Sequence, residues 1–563
     1  MRGAKVRAII CAGSLLVASL ASSLLHAAEQ SQPAASGKPN LLVIMADDLG
    51  WSDIGAFGGE ISTPNIDQLA QRGVQFTNFY ASPYCSPSRS MLLTGSDNHA
   101  VGLGTMSEFL GPETKGQPGY EGHLNTRAVT IAQRLRQAGY YTMMSGKWHL
   151  GHGDDQSPAS WGFDRSFALL NGEANHYKKT TTKPSPDGTT TYRLDGKVVD
   201  IPDDFYSSDY YANQLISFID TQPAKTPFFA YLAFTAPHSP LQAPQSLIKR
   251  YEGVYDAGPQ ALANSRLAKM KAMGLVDADT QPHPLTSAVS WSALSAEQRK
   301  LSTRRMETYA AMIEGMDTSI GRVLEKLDQR GELKNTVVVF LSDNGAAGSS
   351  REANPKWGPW ISAYMDNSLA NIGNANSYVS TGPEWAQASM TPSAYFKGFP
   401  TEGGTHSPAI IAGPSIAKGA VAGSYAHITD LVPTLLGMAG APAVDEPGKA
   451  HLEGASLVSV LQGPKPEKVG PAQPKAMEMR GGKAVKQGDL KAVYLPTFPS
   501  GLPAKDLPLY QWQLFNLAKD PGETTDIAAA HPEQLRALEQ HWQQYANRVG
   551  VVQMPDFKPA AAQ

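Results

Sequence analysis

Two unbroken apolar runs that end abruptly in acid constrain this chain more than any other feature. "NLLVIMADDLG" carries residues 40–46 straight into Asp47 and Asp48, and "TVVVFLSDNG" carries residues 336–342 into Asp343 and Asn344. A run without polar alternation reads as a strand buried on both faces, which requires helices above and below a mostly parallel sheet. Helical segments lie between such runs. "TPNIDQLAQRG" has Pro64 near its start and Gly73 at its end, and "TRAVTIAQRLRQAG" is amphipathic and stops at Gly139. Met306, Ala310, Ile313, Met316, Ile320, Leu324 and Leu327 keep helical spacing over about six turns. "VQFTNFY", "YYTMMSGKWHLG" and "PFFAYLAFTAPHSP" supply further strands. The expected architecture is α/β, a large mostly parallel sheet sandwiched by helices over residues 38–440.

Composition changes after "HITDLVPTLLGMAGAP", where Pro and Gly become frequent; residues 441–475 read as a connection. Short strands in "KAVKQGDLKAVYL" and "YQWQLFNL", then a helix over about 532–548, predict a small α+β subdomain over 476–550 and a tail over 551–563. Two long stretches, 253–296 and 345–394, read as irregular and are expected to shape a pocket. At the other end, Arg2, Lys5 and Arg7 precede a short apolar stretch and "HAAEQ", the pattern of a cleavable leader over residues 1–28. The expected location is therefore periplasmic or secreted, with no stable membrane anchor. The chain has 48 basic and 51 acidic residues, and removing the leader takes its net charge from −3 to about −6, which argues against a nucleic-acid surface. Of two cysteines, Cys11 lies in the leader, so Cys85 has no disulfide partner in the remainder. No Asn-x-Ser/Thr sequon occurs, which favours a bacterial periplasm over a glycosylating lumen.

Each reactive cluster falls just past the carboxyl end of a strand: Asp47 and Asp48, Lys147 and His149, His238, Asp343 and Asn344. Open α/β sheets bind ligands at that edge. The two acidic clusters offer only oxygen donors, which select Ca2+ (Mg2+ less) over Zn2+. Arg89, Lys147 and Lys397 are candidate anion clamps, and His149 and His238 candidate proton carriers. Cys85 itself reads either as a buried apolar thiol or as a thiolate made acidic by Arg89 and a helix N-terminus.

A third reading of Cys85 comes from likeness. "CSPSR" followed by "SMLLTG" resembles the signature of the type I sulfatases, and the segments quoted above, with "TEGG" and "QLFNLAKDPGETTDIA", follow that family's order from about residue 38 to 548. Ser96 departs from the arginine found after Leu-Thr-Gly in many members. The likeness is greatest to bacterial arylsulfatases and implies an alkaline phosphatase-like fold. It also implies that Cys85 is converted to formylglycine by a maturation enzyme before folding. Ca2+ would be held by Asp47, Asp48, Asp343, Asn344 and the modified Cys85. Arg89 would hold the aldehyde hydrate, Lys147, Lys397 and His238 would bind the substrate, His238 would protonate the leaving oxygen, and His149 would assist the final step. The reaction would cleave a small-molecule sulfate monoester, aryl by default, to an alcohol or phenol plus sulfate. One hydroxyl of the hydrate attacks sulfur and the second expels sulfate, whereas a serine would be left as a stable ester. Two alternatives stand beside this: a phosphonate monoester or phosphodiester hydrolase, against which Asn344 weighs, and a noncatalytic binding protein on the same scaffold. Tyr177, Trp357 and Trp360 are candidates for an aromatic wall.

Overall fold

The computed structural model describes residues 37–178, 185–496 and 501–554; the predicted leader and most of the predicted tail lie outside them. The described residues from Pro39 onward form one compact unit. Its main sheet contains β1 (Asn40–Ala46), β2 (Gly73–Phe76), β4 (Tyr141–Lys147), β5 (Arg165–Leu169), β6 (Tyr192–Leu194), β7 (Lys197–Val199), β8 (Phe228–Ala233), β9 (Thr336–Ser342), β10 (Ala409–Ala412) and β11 (Ala420–Ala422). Their order is β11-β2-β10-β9-β1-β8-β4-β5-β6-β7. The central run β9-β1-β8-β4-β5 is parallel throughout, while β10 and β6 pair antiparallel with their neighbours. "VQFTNFY" splits into β2 and β3 (Phe79–Tyr80), the latter pairing with β12 (Ala426–His427).

The apolar run of β1 serves both faces, as its lack of alternation requires. Leu42, Ile44 and Ala46 enter one core with the helices Ser207–Thr221 and Ala296–Gln329. Leu41, Val43 and Met45 enter the other with the helices Cys85–Thr94, Ile131–Gln137 and Leu431–Met438. The register sets Ala46 beside Ser342, so the acids that follow β1 and β9 emerge side by side.

Two expectations need correction. The Ala296–Gln329 helix has 34 residues and starts ten residues before Met306, because its first turns are polar and are launched by a Ser295/Gln298 capping box. The stretch 253–296 is not irregular throughout: it contains the helix Pro259–Ala272, anchored by Arg266, which pairs in a buried site with Asp53 and Glu60. At the C-terminal end, β13 (Lys475–Met479), β14 (Gly482–Gln487), β15 (Leu490–Tyr494) and β16 (Trp512–Asn516) form an antiparallel meander covered by the helix Pro532–Val549.

Two buried histidines make acid sensitivity a property of the fold. Burial lowers His176 to about 4 and His406 to about 3, the latter stacked between Trp51 and Tyr80. Below their ordinary value of 6.5 the unfolded chain takes up protons that the folded one does not, so stability falls as pH drops toward 4. Each contributes about 1.4 kcal/mol per pH unit in that window. Denaturant midpoints measured from pH 7.5 to 4.5 should decline accordingly; a flat profile would contradict the burial of these rings as neutral groups.

Candidate active site

Cys85 is the first residue of the helix Cys85–Thr94, with Tyr84 extended before it. Arg89 lies one turn on, so both side chains share a face. The helix is buried over its whole length, and Arg89 is inaccessible to solvent. Its Nε and Nη2 donate to Asp343 Oδ2 at 3.0 and 2.8 Å, its Nη1 donates to the Lys147 carbonyl at 3.1 Å, and Nη2 lies 3.5 Å from Asp47. The other Asp343 oxygen accepts from the Asp48 backbone N–H at 3.2 Å.

Each cation has a different carboxylate as its nearest partner. Lys147 Nζ, at the end of β4, reaches Asp47 at 2.7 and 2.9 Å. Lys397 Nζ reaches Asp48 Oδ1 at 2.6 Å, and Arg89 takes Asp343. Cys85 Sγ sits amid these charges, 3.1 Å from Lys397 Nζ, 3.4 Å from Asp47 and 3.7 Å from Asp48. That excludes the apolar reading of the thiol. The acidic-thiolate reading fails as well: burial first, then Asp343, push the thiol well above its ordinary value, and the Arg89 charge is spent on Asp343.

The two histidines are fixed in different ways. His238 Nδ1 donates to the Ser239 carbonyl at 2.6 Å, leaving Nε2 3.5 Å from Asp48 Oδ2. Burial lowers it to about 3 despite Asp48, so the ring is neutral. His149 does not extend the line of β4, which ends at Lys147. Its φ is 56°, and the turned ring places Nε2 3.1 Å from Glu108. A carboxylate only accepts, so Nε2 carries the hydrogen and Nδ1 keeps a lone pair, buried and without a partner. Burial, with Lys147 and Arg89, lowers its pKa although Glu108 works the other way.

Asp48, Cys85, His149, His238 and Lys397 face a cleft of about 980 Å3. Asp47, Arg89, Lys147, Asp343 and Asn344 lie buried beneath them. Ligand atoms of Asp47, Asp48, Cys85 and His238 all fall within 4.8 Å of one another, a group able to hold a metal ion. Asn344 Nδ2 donates to Asp48 Oδ1 at 2.7 Å, while Asn344 Oδ1 and Asp48 Oδ2 are buried acceptors without a hydrogen-bond partner. Orphaned hard oxygens beside a cluster of buried carboxylates fit a divalent cation. The predicted aromatic wall is corrected: Trp357 lines the cleft, but Tyr177 packs on Tyr206 and Trp360 packs behind Trp357. Tyr84 and Phe109, edge to face at 5.3 Å, join Trp357 instead.

A mostly parallel sheet between helical layers, with buried carboxylates, ammonium groups and imidazoles gathered at its carboxyl edge, defines an α/β protein with a charged ligand site where open sheets hold theirs. Known proteins narrow the class. The sulfatase family model matches residues 39–441. An uncharacterized sulfatase of Schizosaccharomyces pombe is 42% identical over 560 residues, covering 94% of this chain and 99% of its own. The arylsulfatase of Klebsiella aerogenes is 43% identical over 425 residues, covering 74% of this chain and 88% of its own. Among solved structures, Ps i-CgsB in complex with k-i-k-neocarrahexaose superposes with a TM-score of 0.62 at 24% identity, covering 90% and 93% of the two chains. The phosphonate monoester hydrolase of Agrobacterium radiobacter shares the fold at a TM-score of 0.53 and 20% identity, covering 92% and 96%. The chain belongs to the sulfatase family, and it is an enzyme of the sulfatase type. Its relatives include a yeast and an enterobacterium, so the likeness does not support the bacterial origin expected from the sequence. No helix among the described residues is long and apolar enough to cross a membrane.

Proposed function

We propose that this protein hydrolyses sulfate monoesters, aryl sulfates foremost, to a phenol or alcohol and inorganic sulfate, with Cys85 converted to formylglycine and a Ca2+ ion in the carboxylate cluster. One observation carries the reading: a lone buried cysteine whose sulfur touches two aspartates and a lysine at the floor of an aromatic-walled cleft. In that reading Sγ stands where the oxygens of an aldehyde hydrate belong. Asp47, Asp48, Asp343, Asn344 and residue 85 would hold the Ca2+, which would supply charge opposing the sulfate oxygens and make a neighbouring hydroxyl more acidic.

The chain's own groups do the rest. Arg89, locked by Asp343, holds residue 85 from one helical turn away. Lys147 and Lys397, whose ammonium groups lie at the cleft floor beside Cys85, would oppose the sulfate oxygens, where preorganised charge is worth most. With Nδ1 of His238 held by the Ser239 carbonyl, Nε2 is the reacting nitrogen; the negative charge of an arriving ester raises its affinity for a proton taken from water, and Nε2 passes that proton to the leaving oxygen. His149 Nδ1, with Glu108 holding the opposite nitrogen, takes the proton of the second hydroxyl as sulfate departs. Cys85 is only 1% exposed, so the maturation enzyme acts before folding. The leader then directs the product to a periplasmic or secreted location.

The test compares 4-nitrophenyl sulfate with a 4-nitrophenyl phosphonate monoester. Higher kcat/KM on the sulfate supports the reading, and a strong preference for the phosphonate overturns it. Metal dependence gives a second expected outcome. Ca2+ at 100 times its dissociation constant should stabilise the fold by about 2.7 kcal/mol, and a chelator should remove that gain. Denaturant midpoints indifferent to Ca2+ and Mg2+ but raised by Zn2+ would contradict the oxygen-donor assignment.

A further inference from the structure

The cleft has one more charged wall, supplied by the C-terminal meander. Arg480 stands in the β13–β14 turn, between Met479 and Gly482, which are register partners. Its φ is 53° and that of Gly481 is 81°, the paired positive values of a two-residue hairpin turn. An arginine in that conformation persists only where its surroundings fix it. Glu478 does so: one oxygen accepts from the Gly481 N–H at 2.6 Å, and the other meets His99 Nε2 at 3.1 Å. His99 is buried, with Asp97 at its other nitrogen, and Tyr545 of the last helix also binds Asp97.

The turn sets the Arg480 guanidinium 3.9 Å above the Phe109 ring, with Nη1 donating to Tyr84 OH at 3.2 Å. Tyr84 precedes Cys85 in the chain, and both line the same cleft as Arg480. The other cations of the lining are engaged: Lys397 with Asp48, Arg351 with Glu173 and Lys356 with Asp187. Among the described residues no carboxylate pairs with Arg480, which is half-buried and lines the cleft. A guanidinium offers five donors in a planar fork suited to carboxylate and sulfonate.

We propose that Arg480 is a specificity-determining residue that binds a second anionic group, a carboxylate or sulfonate, on the leaving group of an aryl sulfate. This rests on the sulfatase reading above. Tyr84, Phe109 and Trp357 accept the ring, the floor takes the sulfate, and Arg480 reads the substituent. The hairpin turn thereby gives the C-terminal meander a part in substrate choice.

The test measures kcat/KM on 4-(sulfooxy)benzoate and on phenyl sulfate for the wild type, Arg480→Ala and Arg480→Lys. The ratio of the two should fall about 10- to 100-fold in Arg480→Ala, mainly through KM, and partly recover in Arg480→Lys. In Cys85→Ala protein, which cannot turn over, calorimetric titration should show the same loss of affinity for the carboxylated ester relative to phenyl sulfate. A ratio unchanged within twofold, with the wild type active, overturns the role of Arg480 alone. A wild type inert toward every aryl sulfate overturns the sulfatase reading and this proposal together.

Discussion

Cys85→Ser is expected to lower steady-state turnover of 4-nitrophenyl sulfate by about 10^6-fold, the scale seen when a nucleophile is removed from a preorganised site. The environment of residue 85 would survive the change. It opens a helix, is surrounded by Asp47, Asp48 and Lys397, and a hydroxyl is small enough to take the place of the thiol. What disappears is the second oxygen. A serine can be sulfated once, but without a geminal hydroxyl it cannot expel the sulfate. The variant should therefore release at most one equivalent of nitrophenol and then stop, with sulfate retained on the peptide containing residue 85. Multiple turnovers at more than a tenth of the wild-type rate would remove the need for an aldehyde.

Asp343→Ala should be the most damaging change to the fold among the site residues, at about 3–5 kcal/mol, because it strands a buried guanidinium. Arg89 has no solvent to fall back on; two of its nitrogens lie on Asp343 Oδ2, and its remaining partners are the Lys147 carbonyl, Tyr231 and, at 3.5 Å, an Asp47 already held by Lys147. The lost carboxylate also frees the Asp48 N–H, so the turn that bears Asp48 at a φ of 67° loosens. A double variant, Arg89→Met with Asp343→Leu, should recover much of the stability and none of the activity. Denaturant unfolding of the three proteins beside the wild type checks this. A double variant as unstable as the single one would mean that the pair is not a buried charge unit, and an active double variant would remove both residues from the chemistry.

The sequence revealed the frame because buried parallel strands leave a strong trace. Each continuous apolar run became a strand of the central sheet, and the acids after β1 and β9 came out adjacent because parallel neighbours end at the same edge. Arg89 was legible from the "CSPSR" signature it shares with Cys85, and the helix Cys85–Thr94 puts the two one turn apart. The first turns of the Ala296–Gln329 helix were not, since a solvated polar turn has no apolar period to read. Glu108 could not be found as the partner of His149, because that contact spans 41 residues and depends on the positive φ of His149. Arg480 left still less trace: it meets Tyr84 across 396 residues through a turn set by a buried His99–Glu478 contact. Tyr177 and Trp360 were misplaced for a related reason, since an aromatic in a loop is as able to pack on its neighbours as to face a cleft.

Everything proposed for the chemistry depends on the state of residue 85 in working enzyme, which peptide mass spectrometry of active protein reads directly. The account predicts that the Tyr84–Arg89 segment carries an aldehyde or its hydrate in place of the thiol, in a fraction that rises in proportion to specific activity across preparations. Fully active protein whose residue 85 is entirely an unmodified thiol, alkylated quantitatively after unfolding, would contradict it.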